Sequence, residues 1–325
     1  MKILVYGAGA IGGALAVRLA SAGEDVSVVA RGAHAEAIRA RGLRLTAGEV
    51  TRTVRVPCVD DAHALDVAPD VVIVTVKQTQ LPPIAGTLAQ LQSAGAPLVL
   101  AMNGIGWWFA DELPIPGKRA FVDELDPGGK LRDALEPARL IGCVVQSSNE
   151  VVEPGVIVGT TPTRNRMILG NVLRGADNSI PAICSALSRG GYEALEATNI
   201  RREIWNKMAL WLAVSPISAI TGLALDTLTN DRAGFEVMAG VLREANAIGR
   251  KLGFELADDV EERLGFYRDK PARPSLLKDF ELGREPELAS GVLVFDVLAR
   301  AMEVDAPHIA TVAALTRLRW LAVRP

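Results

Sequence analysis

Cysteine, histidine and aromatic residues are scarce in this chain of 325 residues. The three cysteines, Cys58, Cys143 and Cys184, lie far apart and form no CxxC pair. That argues against a disulfide framework and a cysteine-held zinc, and a reducing, cytoplasmic compartment is expected. The three histidines, His34, His63 and His308, are equally scattered, so a histidine metal site or a Ser-His-Asp triad has little to draw on. Neither sign of charge dominates: 35 basic residues against 38 acidic ones give a net charge of −3. A global basic field for nucleic acid is therefore absent. Uninterrupted apolar runs are rare as well. Met208–Leu225 carries no charge, but Pro216, Gly222, two serines and a threonine punctuate it. It reads as a buried helix broken near Pro216 rather than a membrane span. The apolar N-terminus is interrupted by Gly7, Gly9, Gly12 and Gly13 and regains charge at Arg18 and Glu24, which suits a strand, turn and helix better than a leader segment. A soluble protein without a membrane partner is expected.

What the chain does have is apolar content, 49% of its residues, and a length that suggests two domains. Short β-branched runs at Lys2–Tyr6, Asp25–Ala30, Asp70–Val76 and Pro97–Met102 alternate with helical patterns at Ile11–Ala22, His34–Arg41 and Pro83–Gln92. Leu43–Val56 reads as a hairpin turning at Gly48. Further strands are expected over Ile141–Val145, Val151–Val158, Arg166–Leu169 and Tyr192–Leu195, with interruptions at Pro154-Gly155 and over 160–165. From Asn199 the pattern is helical almost to the end. The expected fold is α/β: an N-terminal Rossmann-type dinucleotide-binding domain over 1–197, then an all-helical substrate and catalytic domain over 198–325.

The sharpest motif is Gly7-Ala8-Gly9-Ala10-Ile11-Gly12, placed between the first strand and the first helix. There the three glycines give a tight turn, a backbone approach to a pyrophosphate and close helix–strand packing. Ala10 and Ile11 begin the helix whose N-terminus would face the phosphates. An NAD site usually ends its second strand with Asp or Glu, whereas this chain has Arg31 there. A guanidinium suits a 2′-phosphate, so NADP(H) is the expected cofactor. Lys77 and Asn103 directly follow two fully apolar strands, at the sheet edge where ligands bind in open α/β folds.

Taken together, Gly7-x-Gly9-x-x-Gly12, Arg31, Val76-Lys77-x-x-Gln80, Asn103-Gly104-x-Gly106, Trp205-x-Lys207 and Ser275-Leu-Leu-Lys-Asp279, followed by Gly283-Arg284 and Glu287, resemble the ketopantoate reductase family from Met1 to about Thr316. The resemblance implies an active site in the cleft between the two domains and NADPH-dependent reduction of a small 2-keto acid. It implies that Lys207 is the catalytic lysine, the proton donor to the carbonyl oxygen, and that Glu287 is its acidic partner. It assigns Asn103 to holding the lysine and the nicotinamide side, Ser275 to the substrate carboxylate and Lys77 to the cofactor cleft. The chemistry is coherent, because hydride addition builds charge on oxygen that a nearby ammonium stabilises and then protonates.

The departures concern substrate. Where the family usually carries asparagines four and eight residues after the lysine, this chain has Trp211 and Ser215, expected on one helix face with Lys207 and in contact with substrate. Ala289 and Lys278 replace an aspartate and a glutamine. The family's hydride-transfer residues are kept while part of its hydroxyl-binding set is not. Two alternatives stand beside the reductase: a mandelate-like D-2-hydroxyacid dehydrogenase on the same scaffold, and a non-catalytic NADP(H)-sensing protein. The joint presence of Lys207, Glu287 and Asn103 weighs against the second, since a sensor needs no proton donor. The uncharged helix around Met208–Leu225 leaves room for a homodimer.

Overall fold

The computed structural model describes residues 1–65, 68–161, 164–173 and 178–324, so the middle of the turn expected over 160–165 lies outside them. The chain divides into two compact units, one of Met1–Asn103 with Lys130–Glu203, the other of Gly104–Gly129 with Ile204–Pro325.

The first unit holds all the described strands. In chain order they are β1 (Lys2–Tyr6), β2 (Asp25–Val29), β3 (Leu43–Ala47), β4 (Val50–Val54), β5 (Cys58–Val59) and β6 (Val71–Val74). They continue with β7 (Leu98–Leu100), β8 (Leu140–Gln146), β9 (Asn149–Glu153), β10 (Val156–Gly159), β11 (Arg166–Asn171) and β12 (Glu193–Glu196). The main sheet runs β12-β11-β8-β7-β6-β1-β2-β5. From β5 to β8 every pairing is parallel, β11 pairs antiparallel with β8, and β12 runs parallel to β11, so the last two strands are reversed. Counting outward from β1, this is the doubly wound Rossmann order, with its switch point between β1 and β6. The central strands β6 and β7 are buried at every residue, as continuous apolar runs covered on both faces must be.

A second sheet, β4-β3-β10-β9, joins the expected hairpin at Gly48 to a second hairpin turning at Pro154-Gly155. Helix Ala10–Ser21 packs against all four of its strands as well as β1 and β2. With covers on opposite sides, Gly12 to Val17 and Leu19 are all buried, the signature of a helix apolar all round. Gly13 is the contact point: a Cβ there would land on the Ile157 side chain of β10.

The described part of the second unit contains helices and turns and no strand. Its core is aromatic. Trp205, fully buried, stacks 5.0 Å from Phe295, 6.0 Å from Phe254 and 6.1 Å from Phe109, and Phe109 in turn lies 6.3 Å from Phe121.

That cluster corrects the expected boundary at 197/198. The division falls at Glu203/Ile204, and 104–129 belongs to the helical unit, because Trp108, Phe109 and Phe121 find their apolar partners there. A second correction concerns Pro216. Helix Ile200–Thr221 runs straight through it. The proline forfeits one backbone bond, but Leu212 to Ala219 are buried, and that packing outweighs the loss. Third, the helix expected from Glu287 starts just after it, with a π-helical stretch over Ala289–Leu293 before Val294–Ala301. No helix among the described residues is long and apolar enough to cross a membrane.

Candidate active site

In the first unit the glycine loop is shaped by three different constraints. Gly7 has φ +104°, and a Cβ on it would sit 2.7 Å from Val76 Cγ1. Its N–H and that of Ala8 donate to the Val29 carbonyl at 3.0 and 3.2 Å, fastening the loop to β2. Gly12 is closed by contact: a Cβ would strike the Gly7 carbonyl and the Thr75 hydroxyl. Gly9, the exposed residue preceding helix Ala10–Ser21, has nothing within 4 Å of that position. The first and third glycines are therefore demanded by the protein itself. The second leaves open space beside the helix N-terminus, as a phosphate group requires. Ala10 and Ile11 form the first helical residues beside it, both half-buried.

Two residues outside the motif hold this loop. Thr75 donates through Oγ1 to the Gly7 carbonyl at 2.5 Å. The His34 ring takes the Gly155 N–H on Nδ1 at 3.2 Å, so Nε2 carries the proton and donates to the Ala8 carbonyl at 2.7 Å. Sequence reasoning passed over both. Thr75 was visible as the lone polar residue inside an apolar strand run, whereas nothing in sequence links His34 to Gly155.

Arg31 lies exposed at the end of β2, and its guanidinium acts on the Tyr6 phenol at the end of β1. Burial pushes that phenol above its ordinary range, Arg31 pulls it down, and Asp61 adds to the rise. Asp60 and Asp61 follow β5, the neighbour of β2, and Asp61 acts on the same Tyr6 phenol as Arg31, an acid that the strand-by-strand reading missed. Both are engaged: Asp60 pairs with Arg39 at 2.7 Å, and Asp61 accepts the His63 N–H at 3.0 Å. Lys77 and Asn103 are each half-buried beyond β6 and β7, and Gln78 Nε2 donates to the Asn103 carbonyl at 3.1 Å, linking those two strand ends. Gly7, Gly9, Ala10, Ile11, Gly12, Arg31, Lys77 and Asn103 thus all belong to one end of one sheet.

In the second unit, Lys207 is half-buried on Ile200–Thr221 and that stretch of helix is pinned around it. Trp205 Nε1 donates to the Ala245 carbonyl at 3.2 Å, Arg263 donates to the Asn206 carbonyl at 2.6 Å, and Met208 Sδ takes the Gly104 N–H at 3.3 Å. Ile105 N–H donates to the Ser290 carbonyl at 2.9 Å, so the loop after Asn103 is tied to the π-helical stretch following Glu287. Trp211 completes the group: a Cβ on Gly291 would lie 2.7 Å from its Cζ3, so the indole rests on that glycine. One turn of each helix beyond Lys207 and beyond Glu287, the two elements touch. Glu287 itself is half-buried.

Ser215 does not join an open stripe with these residues; it is only 2% exposed. Each step of four residues turns about 40° around a helix, so after eight the position has rotated by about 80°. Ser275 opens a separate helix, Ser275–Glu281, and is exposed there. Trp107 and Trp108 are buried. Among the described residues no cluster of potential metal ligands occurs.

Comparison with known proteins agrees with this geometry. Residues 3–108 match the family model described as ketopantoate reductase PanE/ApbA, and residues 199–319 match that of its C-terminal part. A 2-dehydropantoate 2-reductase of Mesorhizobium japonicum is 34% identical over 98% of this chain and 97% of its own. A crystal structure from Ralstonia solanacearum, described as a ketopantoate reductase, has a TM-score of 0.89 at 34% identity, covering 99% of this chain and 98% of that one. A D-mandelate dehydrogenase solved with NADH and anilino(oxo)acetate shares the fold at a TM-score of 0.83 and 18% identity, over 99% of both chains.

Gly12 and Gly9 are expected to separate on substitution. Gly12→Ala should lower the melting temperature, because the clash is with backbone. Gly9→Ala should melt like the parent and lose at least tenfold in dinucleotide affinity, read by quenching of tryptophan fluorescence. A Gly9→Ala protein with unchanged affinity would remove Gly9 from the phosphate cradle.

Proposed function

Since the chain belongs to the ketopantoate reductase family of oxidoreductases, we propose that it reduces a 2-keto acid to the 2-hydroxy acid with NADPH, Lys207 serving as general acid. The observation that carries this reading is the glycine loop, closed to side chains at Gly7 and Gly12, open at Gly9, and flanked by Arg31 instead of an acid on β2. These residues fit a 2′-phosphorylated dinucleotide: Gly9 and the helix N-terminus for the pyrophosphate, Arg31 for the extra phosphate. A reduced nicotinamide bound there supplies the hydride.

The chain's own residues supply the rest. The ammonium of Lys207 stabilises charge on the substrate carbonyl oxygen and delivers its proton there. Its pinned helix holds the amine in place, so little reorganisation is needed at the moment of transfer. Glu287 is the acidic partner, and Asn103 serves the nicotinamide side. Lys77 supports the cofactor, and Ser275 takes the substrate carboxylate. Trp211 sets substrate choice. An indole offers one N–H and a broad apolar face where an amide would bind a hydroxyl, so a branched or aromatic 2-keto acid is favoured over ketopantoate. The same residue favours the second reading, a mandelate-like D-2-hydroxyacid dehydrogenase, which differs in the group on the 2-carbon and not in the chemistry.

Three measurements test this. NADPH should bind more tightly than NADH, and Arg31→Asp should erase about tenfold or more of that preference, the worth of one charge-assisted contact. Equal dissociation constants in the parent would refute the assignment of NADP(H). Lys207→Ala should lower kcat by roughly 10²–10⁴-fold while NADPH affinity stays within about twofold. Unchanged turnover would move the acid elsewhere, and NADPH binding with no turnover of any 2-keto acid by the parent would leave a nucleotide-sensing protein.

For substrate, kcat/KM for 2-ketoisovalerate or benzoylformate should exceed that for ketopantoate. Trp211→Asn should move the ratio by about tenfold toward ketopantoate. A parent enzyme that prefers ketopantoate tenfold would end the apolar-pocket reading.

A further inference from the structure

Three successive peptide planes carry the chain from β1 into helix Ala10–Ser21, and they are not held alike. The first is fastened by the Gly7 N–H, which donates to the Val29 carbonyl at 3.0 Å. The second is held at both edges, its Gly7 carbonyl by Thr75 Oγ1 at 2.5 Å and its Ala8 N–H by Val29 at 3.2 Å. The third, between Ala8 and Gly9, is held among the described residues by its carbonyl alone, which accepts from His34 Nε2 at 2.7 Å. A trans peptide is planar, so its C=O and N–H point in opposite directions. With the carbonyl turned to His34, the Gly9 N–H points the other way, and none of the described residues accepts from it. Gly9 is exposed with open space around it, so that donor is left for an anion at the helix N-terminus.

The same glycine makes this plane the easiest of the three to turn. Rotating it changes ψ of Ala8 and φ of Gly9, and glycine tolerates the new φ. A rotated plane would present a carbonyl acceptor where the phosphate calls for a donor. The histidine that prevents this is itself set by a distant segment. Gly155, at the tip of the β9–β10 hairpin, has φ +81° and donates its N–H to His34 Nδ1 at 3.2 Å. A neutral ring that accepts on Nδ1 carries its one proton on Nε2, the donor that Ala8 requires. The tip is anchored beside the ring. The Gly155 carbonyl accepts the Arg44 N–H at 2.9 Å, and a Cβ on Gly155 would lie 3.3 Å from that of Ala37, one turn along the histidine's own helix, Gly32–Arg41.

We propose that His34 is a positioning residue for the dinucleotide: as the neutral Nε2–H tautomer it holds the Ala8–Gly9 peptide with the Gly9 N–H turned toward the pyrophosphate. This role rests on the dinucleotide reading of the glycine loop. Two substitutions separate the two bonds of the ring. Glutamine reaches as far as Nε2 and keeps a donor for Ala8, whereas the shorter asparagine keeps only an acceptor near Nδ1 for Gly155. His34→Asn should therefore weaken NADPH binding about fivefold, the worth of one neutral hydrogen bond, while His34→Gln stays within about twofold of the parent. Tryptophan fluorescence quenching reads the affinities, with the melting temperature of each variant measured beside it. Long-range proton–nitrogen NMR of the three histidine rings should show His34 as the Nε2–H tautomer. Equal NADPH affinity in parent and His34→Asn, with only the melting temperature lowered, would mark a purely structural residue and overturn the proposal. So would equal losses in both variants, or an Nδ1–H ring. A parent that binds neither NADPH nor NADH would overturn the dinucleotide reading instead, and this role with it.

Discussion

The first unit depends on the close approach of helix Ala10–Ser21 to the strands that flank it. Gly12 has no room for a side chain between the Gly7 carbonyl and Thr75, and Gly13 has none against Ile157 of the second sheet. A helix held from both sides cannot tilt or slide. Its N-terminus, with its unpaired N–H groups, is therefore presented at a fixed place at the end of β1. The hydrogen bonds from Gly7 and Ala8 to Val29, from Thr75 to Gly7, and from His34 to Ala8 all serve this same restraint.

The second unit solves its placement problem with aromatic packing. Trp205 is two residues from Lys207 and sits in a cage of Phe109, Phe254 and Phe295, its indole N–H satisfied by Ala245. A fixed backbone sets where the Lys207 side chain starts, although the rotamer entropy of that long side chain is a separate cost. The π-helical stretch after Glu287 widens that helix where the Trp211 indole lies on Gly291. Such stretches are often found at functional sites, because one extra residue re-aims the side chains around it.

Several features were legible in the linear sequence because they are local. Alternating apolar runs and helical patterns gave the strand and helix order of the first unit, since burial on both faces or on one stripe writes itself directly into residue spacing. The glycine loop was legible for the same reason: turn, approach and packing constrain neighbours a few residues apart. So was Arg31, by its position at a strand end. The roles proposed for Lys207, Glu287 and Ser275 rest on the resemblance of scattered motifs, because spacing alone does not distinguish them from surface residues.

What tertiary structure alone decided involves residues far apart in the chain. The segment 104–129 joined the helical unit because Phe109, itself packed on Phe121, is an apolar partner of Trp205, a hundred residues or so away, and no periodicity encodes that choice. The same holds for the pairing of β3 with β10 and the His34 bridge to Gly155. Ser215 left the expected open stripe, and Pro216 stayed inside its helix, because burial of the surrounding side chains overrode local spacing and propensity. Sequence determined the elements and the glycine loop, where the energies are short-range. The fold decided which distant elements share a core, because that choice rests on surface buried between segments the sequence keeps apart.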